Sequence, residues 1–166
     1  SIYMINIALI ILYGILFLYT PKFRNIKLFC IMASLNWILL SGLRHISIGA
    51  DTYVYKVYNF DISGNRTWDE IFNSFGFFFK GESLGIEPGY RMFERVIQIF
   101  TSNYQVYLIV IAIIFTVPLG KWIYKNSREP LISFLLYSVL FYSFFAITGH
   151  RQTIATALVV LIGYER

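Results

Sequence analysis

The sequence predicts an all-α polytopic membrane protein, a transmembrane helix bundle with a long outer-side loop that contains short amphipathic helices. Three observations predict it. Of 166 residues, 57% are hydrophobic and only 14% charged, whereas a soluble domain is about 45–50% apolar and about 25% charged. The apolar residues fall into blocks at about 2–19, 26–43, 104–124, 131–147 and 150–164, separated by Pro and by Lys or Arg. The net charge of +5 gathers at block ends and forms no long basic run. Lysines and arginines so placed read as topology signals and argue against a nucleic-acid surface.

The first block, Ile2 to Tyr19, closes at Thr20-Pro21, because proline cannot continue the helical hydrogen-bond ladder. It is longer than a signal-peptide core and lacks an Ala-x-Ala-like site. The second block carries Ser34, Ser41 and His45 at helical spacing, a thin polar stripe suited to interhelix packing. Cys30, the single cysteine, lies inside this block and reads as a small buried hydrophobe. No Cys/His spacing suggests a metal site, and no cofactor motif is present.

The connection 44–103 is too long to lack structure of its own. Asp51 is positioned to cap a short helix through Tyr58. Thr67 to Glu70 has capping-box spacing, and Gly81 to Gly85 reads as a turn. Glu87-Pro88 opens a further helix with proline in its first turn. Along that helix Tyr90, Phe93, Ile97 and Phe100 share one face, and Arg91, Glu94, Arg95 and Gln98 share another. Such a helix lies in a membrane interface or docks on the bundle. In the block that starts at Tyr104, Pro118-Leu119-Gly120 predicts a kink that neighbouring helices would tolerate.

The short loops Lys22–Lys27 and Lys121–Arg128 are basic and are expected in the cytoplasm. The N-terminus, the 44–103 connection and the Gly149–Gln152 turn are then expected outside. The chain does not start with Met. As a helix, Thr153 to Tyr164 rises roughly 18 Å, short of a hydrocarbon core about 30 Å thick. A piece of a longer chain is therefore expected.

Ionisable groups at membrane depth usually face a bundle interior or a water-filled cavity. Arg44 and Arg151 flank two apolar blocks on the same expected side, beside His45 and His150. A guanidinium offers a planar fork that matches phosphate oxygens, so these arginines are candidates for an anionic ligand. The plainer alternative is that each snorkels to the interface or pairs with Asp51 or Glu87. Asp51 and Glu87 are the carboxylates placed to act as general base, and each could instead be only a helix-start anion. Tyr53, Tyr55, Tyr58, Trp68 and Tyr90 could stack on sugars or form an aromatic belt at the headgroups.

The motifs together resemble a family. Arg44, Gly49, Asp51, Thr52 and Tyr55 follow the pattern Arg-x(n)-Gly-x-Asp-Thr-x-x-Tyr of EpsG-like proteins. Glu87-Pro88-Gly89-Tyr90 looks like their Glu-x-Gly-Tyr element, and Arg151-Gln152-x-Ile154-Ala155 is similar to their Arg-Gln-x-[Ile/Leu]-Ala motif. The resemblance implies a bacterial extracellular or capsular polysaccharide polymerase of the Wzy type, a multi-pass protein of the cytoplasmic membrane. Its substrate would be an undecaprenyl-diphosphate-linked oligosaccharide, extended at the outer face by glycosyl transfer without metal or cofactor. The resemblance carries Asp51 and Glu87 as catalytic candidates. Arg44, His45, Thr52, Tyr55, Tyr90, His150, Arg151 and Gln152 are the substrate-binding candidates. Membrane lipid and other polysaccharide assembly proteins are the expected partners, and nucleic acid is not. A transporter or export subunit for lipid-linked sugar, or a non-catalytic membrane subunit, stays open beside it.

Overall fold

The computed structural model describes residues 2–49, 51–82, 87–141 and 149–164, and among them it contains helices and turns but no strand. Helix α1 (Ile2–Tyr19) ends in a π-helical turn, and Thr20 donates to the Ile15 carbonyl through both its backbone N–H and its hydroxyl. Pro21–Phe23 forms a 3₁₀ turn, and Asn25 caps α2 (Ile26–Gly42) by accepting from Leu28 N–H. A helical stretch α3 (52–64) follows, π-helical over Tyr55–Phe60. Then come α4 (Trp68–Phe79), α5 (Pro88–Phe100), α6 (Tyr104–Asn126), α7 (130–141) and α8 (His150–Tyr164). Part of the expected Gly81–Gly85 turn and residues 142–148 of the fourth apolar block lie outside the described residues.

Helix α6 is the hub, packing on α2 along one side and on α8 along another, while α1 leans on α2 and α7. Small residues bring α2 and α6 together. Gly120 has Ser34 directly above its Cα, and a Cβ on Gly42 would lie 3.0 Å from Ile109. Pairing 34 with 120 and 42 with 109 makes the two helices antiparallel. The basic turns at 22–27 and 121–128 therefore share one end of the bundle, and the 44–103 connection emerges at the other. The core between them holds Phe29, Cys30, Ala33, Trp37, Phe115 and Phe134. Trp37 Nε1 donates to Ser138 Oγ at 3.2 Å, so the indole enters this core with its polar edge satisfied.

Two helices, α1 and α6, are long and apolar enough to cross a membrane; α2 and Pro130–Leu140 are shorter apolar helices. Helix α6 runs through Pro118 without interruption.

Three local expectations need correction. Asp51 makes no side-chain cap, because its own backbone is already helical and the carboxylate cannot reach back over the first turn. His45 lies beyond the end of α2 and is exposed against Ser47, so the buried serine stripe ends at Ser41. On helix α5 the expected face of Tyr90, Phe93, Ile97 and Phe100 divides, with Phe93 packed on the Ile97 core. Tyr90 and Ile97 turn inward together with Arg91 and Glu94, while Phe100 turns out. The Thr67–Glu70 capping box and Pro88 in the first turn of α5 form as the sequence indicates.

Candidate functional site

The site is built where three helix ends meet. Helix α2 stops at Gly42, and Arg44 folds back over that end, donating through Nη1 to the Ser41 carbonyl at 2.7 Å and the Ser41 hydroxyl at 3.1 Å. Gln105 of α6 donates to the Gly42 and Arg44 carbonyls, fixing the same turn from the other side. The remaining Arg44 fork reaches α8, with Nη2 2.7 Å from His150 Nε2. A guanidinium can only donate, so Nε2 accepts, and the neutral imidazole carries its proton on Nδ1. That Nδ1 is buried and has no hydrogen-bond partner.

Tyr55 stacks on the His150 ring, with centroids 4.4 Å apart and planes 20° from parallel. It also accepts a hydrogen bond from Arg151. Two glycines make the flanking turns possible. Gly49 has φ 97° and Gly149 has φ 54°, a left-handed region that costs glycine little. Gly149 O then accepts from both the backbone and the hydroxyl of Thr153, which starts α8.

Arg151 points the other way from His150. Its Nη1 donates to Glu87 Oε2 at 2.5 Å across the gap between α8 and α5, and both side chains are partly exposed. Burial pushes the Glu87 carboxyl up, but the Arg151 hydrogen bond and charge outweigh that and hold it below the usual carboxylate range. The ion pair forms the polar end of a groove of about 570 Å³. Gly89, Tyr90 and Gln152 complete that end, and Phe93, Ile154, Ala155 and Leu158 line an apolar continuation along α8.

Behind the groove lies a second carboxylate that sequence reasoning did not single out. Glu94 is fully buried; Ser63 Oγ donates to one oxygen at 2.7 Å and Tyr107 Oη to the other at 3.4 Å. The Tyr107 and Tyr90 hydroxyls are 2.6 Å apart, so Tyr90 joins the groove wall to this interior cluster. Burial raises the Glu94 carboxyl to about 7, although hydrogen bonds from Ser63, Tyr90 and Tyr107 and the charge of Arg91 pull it back. The available signal was Tyr90 and Glu94 at i, i+4, which stacks them on one helix face. Among flanking arginines, Glu94 read only as one member of the polar face of that helix.

Of the expected residues, Arg44, Tyr55, Tyr90, His150, Arg151 and Glu87 form one connected cluster, and Gln152 lines its groove. Thr52 is buried in a structural role. Its hydroxyl donates to Ile48 O at 2.8 Å, and its carbonyl accepts from Tyr104 at 3.0 Å. His45 is hydrogen-bonded to Ser47 and borders a different cleft, between α1 and α2. Asp51 is exposed on the turn before α3. Tyr53 and Tyr58 are exposed, while Trp68 lies under Arg95, 5.9 Å from ring centroid to guanidinium carbon.

This arrangement can hold an anion at one end and an apolar chain along the other. No curated protein and no solved structure matches the chain. A model of the EpsG family matches residues 27–165, which include every member of the cluster. The chain thus belongs to the EpsG family, membrane-associated proteins of polysaccharide biosynthesis.

Proposed function

We propose that the protein takes part in polymerising undecaprenyl-diphosphate-linked repeat units by glycosyl transfer at the outer face of the bacterial cytoplasmic membrane. The observation that carries this reading is the amphipathic groove between α5 and α8. An Arg151–Glu87 pair stands at its head and Phe93, Ile154, Ala155 and Leu158 run along its length. A lipid diphosphate has the same polarity profile, a charged head on an apolar tail.

In this mechanism the diphosphate takes Arg151 from Glu87, since two phosphate groups offer more charge and more acceptor oxygens than one carboxylate. Arg44 acts from behind by holding the His150 ring and, with it, the first turn of α8. The acceptor hydroxyl attacks the anomeric carbon of the growing chain. A C–O bond forms, the bond from that carbon to the phosphate oxygen breaks, and its electron pair leaves with the diphosphate. Arg151 stabilises the charge that develops on the leaving group. Glu87, released from its partner and so raised in basicity, accepts the hydroxyl proton. Tyr90 and Tyr55 form the wall on the sugar side. Asp51, on its exposed turn, is the alternative base.

The test is reconstitution. The complete protein in liposomes, given purified lipid-linked repeat units, should lengthen glycans and release undecaprenyl diphosphate. Transfer of intact lipid-linked units across the bilayer with no lengthening would instead identify an export protein.

A further inference from the structure

We propose that α5, which belongs to the connection read from sequence as lying outside the apolar blocks, rests with one face in the hydrocarbon edge of the membrane leaflet beside it. The occupant of that face is lipid. The inference holds whatever reaction the groove performs, because it uses only the two faces of this helix and its link to α6.

The inner side of helix α5 mixes Tyr90, Phe93 and Ile97 with polar groups, and its outer arc is apolar. Arg91 and Glu94 are buried, and Arg95 and Gln98 turn toward α3, donating to the Gly64 carbonyl at 2.9 Å and the Phe60 carbonyl at 2.6 Å. The opposite arc carries Met92, Val96, Ile99 and Phe100 and no charged side chain. These residues are 39%, 39%, 63% and 83% exposed. At positions i, i+4, i+7 and i+8 they make a continuous apolar stripe. Water would face that stripe at a hydrophobic cost with nothing polar to offset it, whereas acyl chains would not. On the inward face, by contrast, Glu94, Arg95 and Gln98 hydrogen-bond to α3 and α6.

Position along the chain selects lipid as the occupant. Exposure along the stripe rises toward the end of α5 that joins α6 through Thr101–Asn103. Helix α6 is one of the two helices able to cross a membrane. Tyr90 reaches Tyr107, and Ile97 shares a core with Tyr104, Leu108 and Ile111, so α5 lies against the first turns of that span. A helix beside the start of a membrane span, with its apolar side outward, is at the depth where headgroups give way to acyl chains. The groove wall made by Glu87, Tyr90 and Phe93 rides on this helix, so its mouth would open sideways at headgroup level.

Spin labels at Val96→Cys and Ile99→Cys, in the complete protein reconstituted into phosphatidylethanolamine–phosphatidylglycerol liposomes, test this. Cys30 is buried and leaves the labelling selective. The expected result is an oxygen-to-aqueous-nickel collision ratio several-fold above that of a label at Asp69→Cys, which is exposed on the capped end of α4. Brominated lipids should also quench a tryptophan introduced as Ile99→Trp. A ratio equal to that at position 69 would place the stripe in water and overturn the proposal. Low collision rates with both probes, without bromine quenching, would show another protein segment covering the stripe and would overturn it equally.

Discussion

The open edge of the site and its closed interior use the same residue types to opposite ends. In the interior, Arg44 sits at the C-terminus of α2, where the helix dipole favours a cation, and donates to Ser41 and to a neutral His150. At the edge, Arg151 sits in the first turn of α8, where the dipole disfavours a cation, and an anion from another helix compensates. The carboxylates repeat the contrast on one helix. Glu87 is exposed and held below the usual range by Arg151, while Glu94 is buried and raised to about 7. The interior groups are buried and hydrogen-bonded to several helices, so moving them means moving helices. The edge pair is weakly committed, since exposed ion pairs are worth only about 0–1 kcal/mol. A ligand can exchange with a partner held that loosely.

The largest way to break this contrast is at Arg151. Arg151→Ala should cut polymer formation on the order of a hundredfold or more, the scale of losing one preorganised charge-stabilising donor, with little change in thermal unfolding. Arg151→Lys should also fail if the bidentate fork matters. Normal chain lengths from either variant would remove Arg151 from the chemistry.

The interior carboxylate gives a stability effect with a defined sign. Glu94 binds its proton more tightly in the fold than the ordinary value of 4.5 allows. Between about pH 4.5 and about 7 the unfolded state therefore holds fewer protons, and stability falls as pH rises. The loss amounts to at most about 3 kcal/mol. Glu94→Gln keeps an acceptor for Ser63 and should flatten this slope in detergent-solubilised protein. A wild-type slope identical to that of the variant would contradict the buried, raised carboxyl.

Arg44→Ala should differ from Arg151→Ala in kind. It strips donors from the Ser41 carbonyl and from His150, so unfolding should become easier by about 1–3 kcal/mol, and activity should fall with it. An Arg44→Ala protein of wild-type stability would mean that the arginine serves the ligand and not the fold. The smallest effect belongs to Tyr58→Ala. This ring is 59% exposed and away from the cluster, so neither stability nor chain length should change measurably.

Much of the architecture was legible because apolar blocks, prolines and caps are local signals. The block boundaries at 19, 26 and 104 and the Thr67 capping box follow from nearest neighbours along the chain. The pairing of Arg151 with Glu87 was legible only as an alternative, because residue type and side of the membrane do not fix a partner 64 positions away. Glu94 and the orientation of α5 were not legible. Amphipathicity says that a helix has two faces but not which the protein takes, and here Ser63, Tyr107 and backbone carbonyls of α3 draw polar groups inward beside Tyr90 and Ile97. His45 and Asp51 suit an anion site by type, but their types could not show that the turn carrying them lies outside the groove's lining residues.

The most direct test of an exchangeable ion pair is the affinity of undecaprenyl diphosphate for wild-type, Glu87→Gln and Arg151→Ala proteins in nanodiscs. Freeing Arg151 from its carboxylate should tighten binding several-fold even as turnover is lost, and removing Arg151 should abolish specific binding. Equal affinities across the three proteins would contradict the account, because the groove head would then not be where the anion sits.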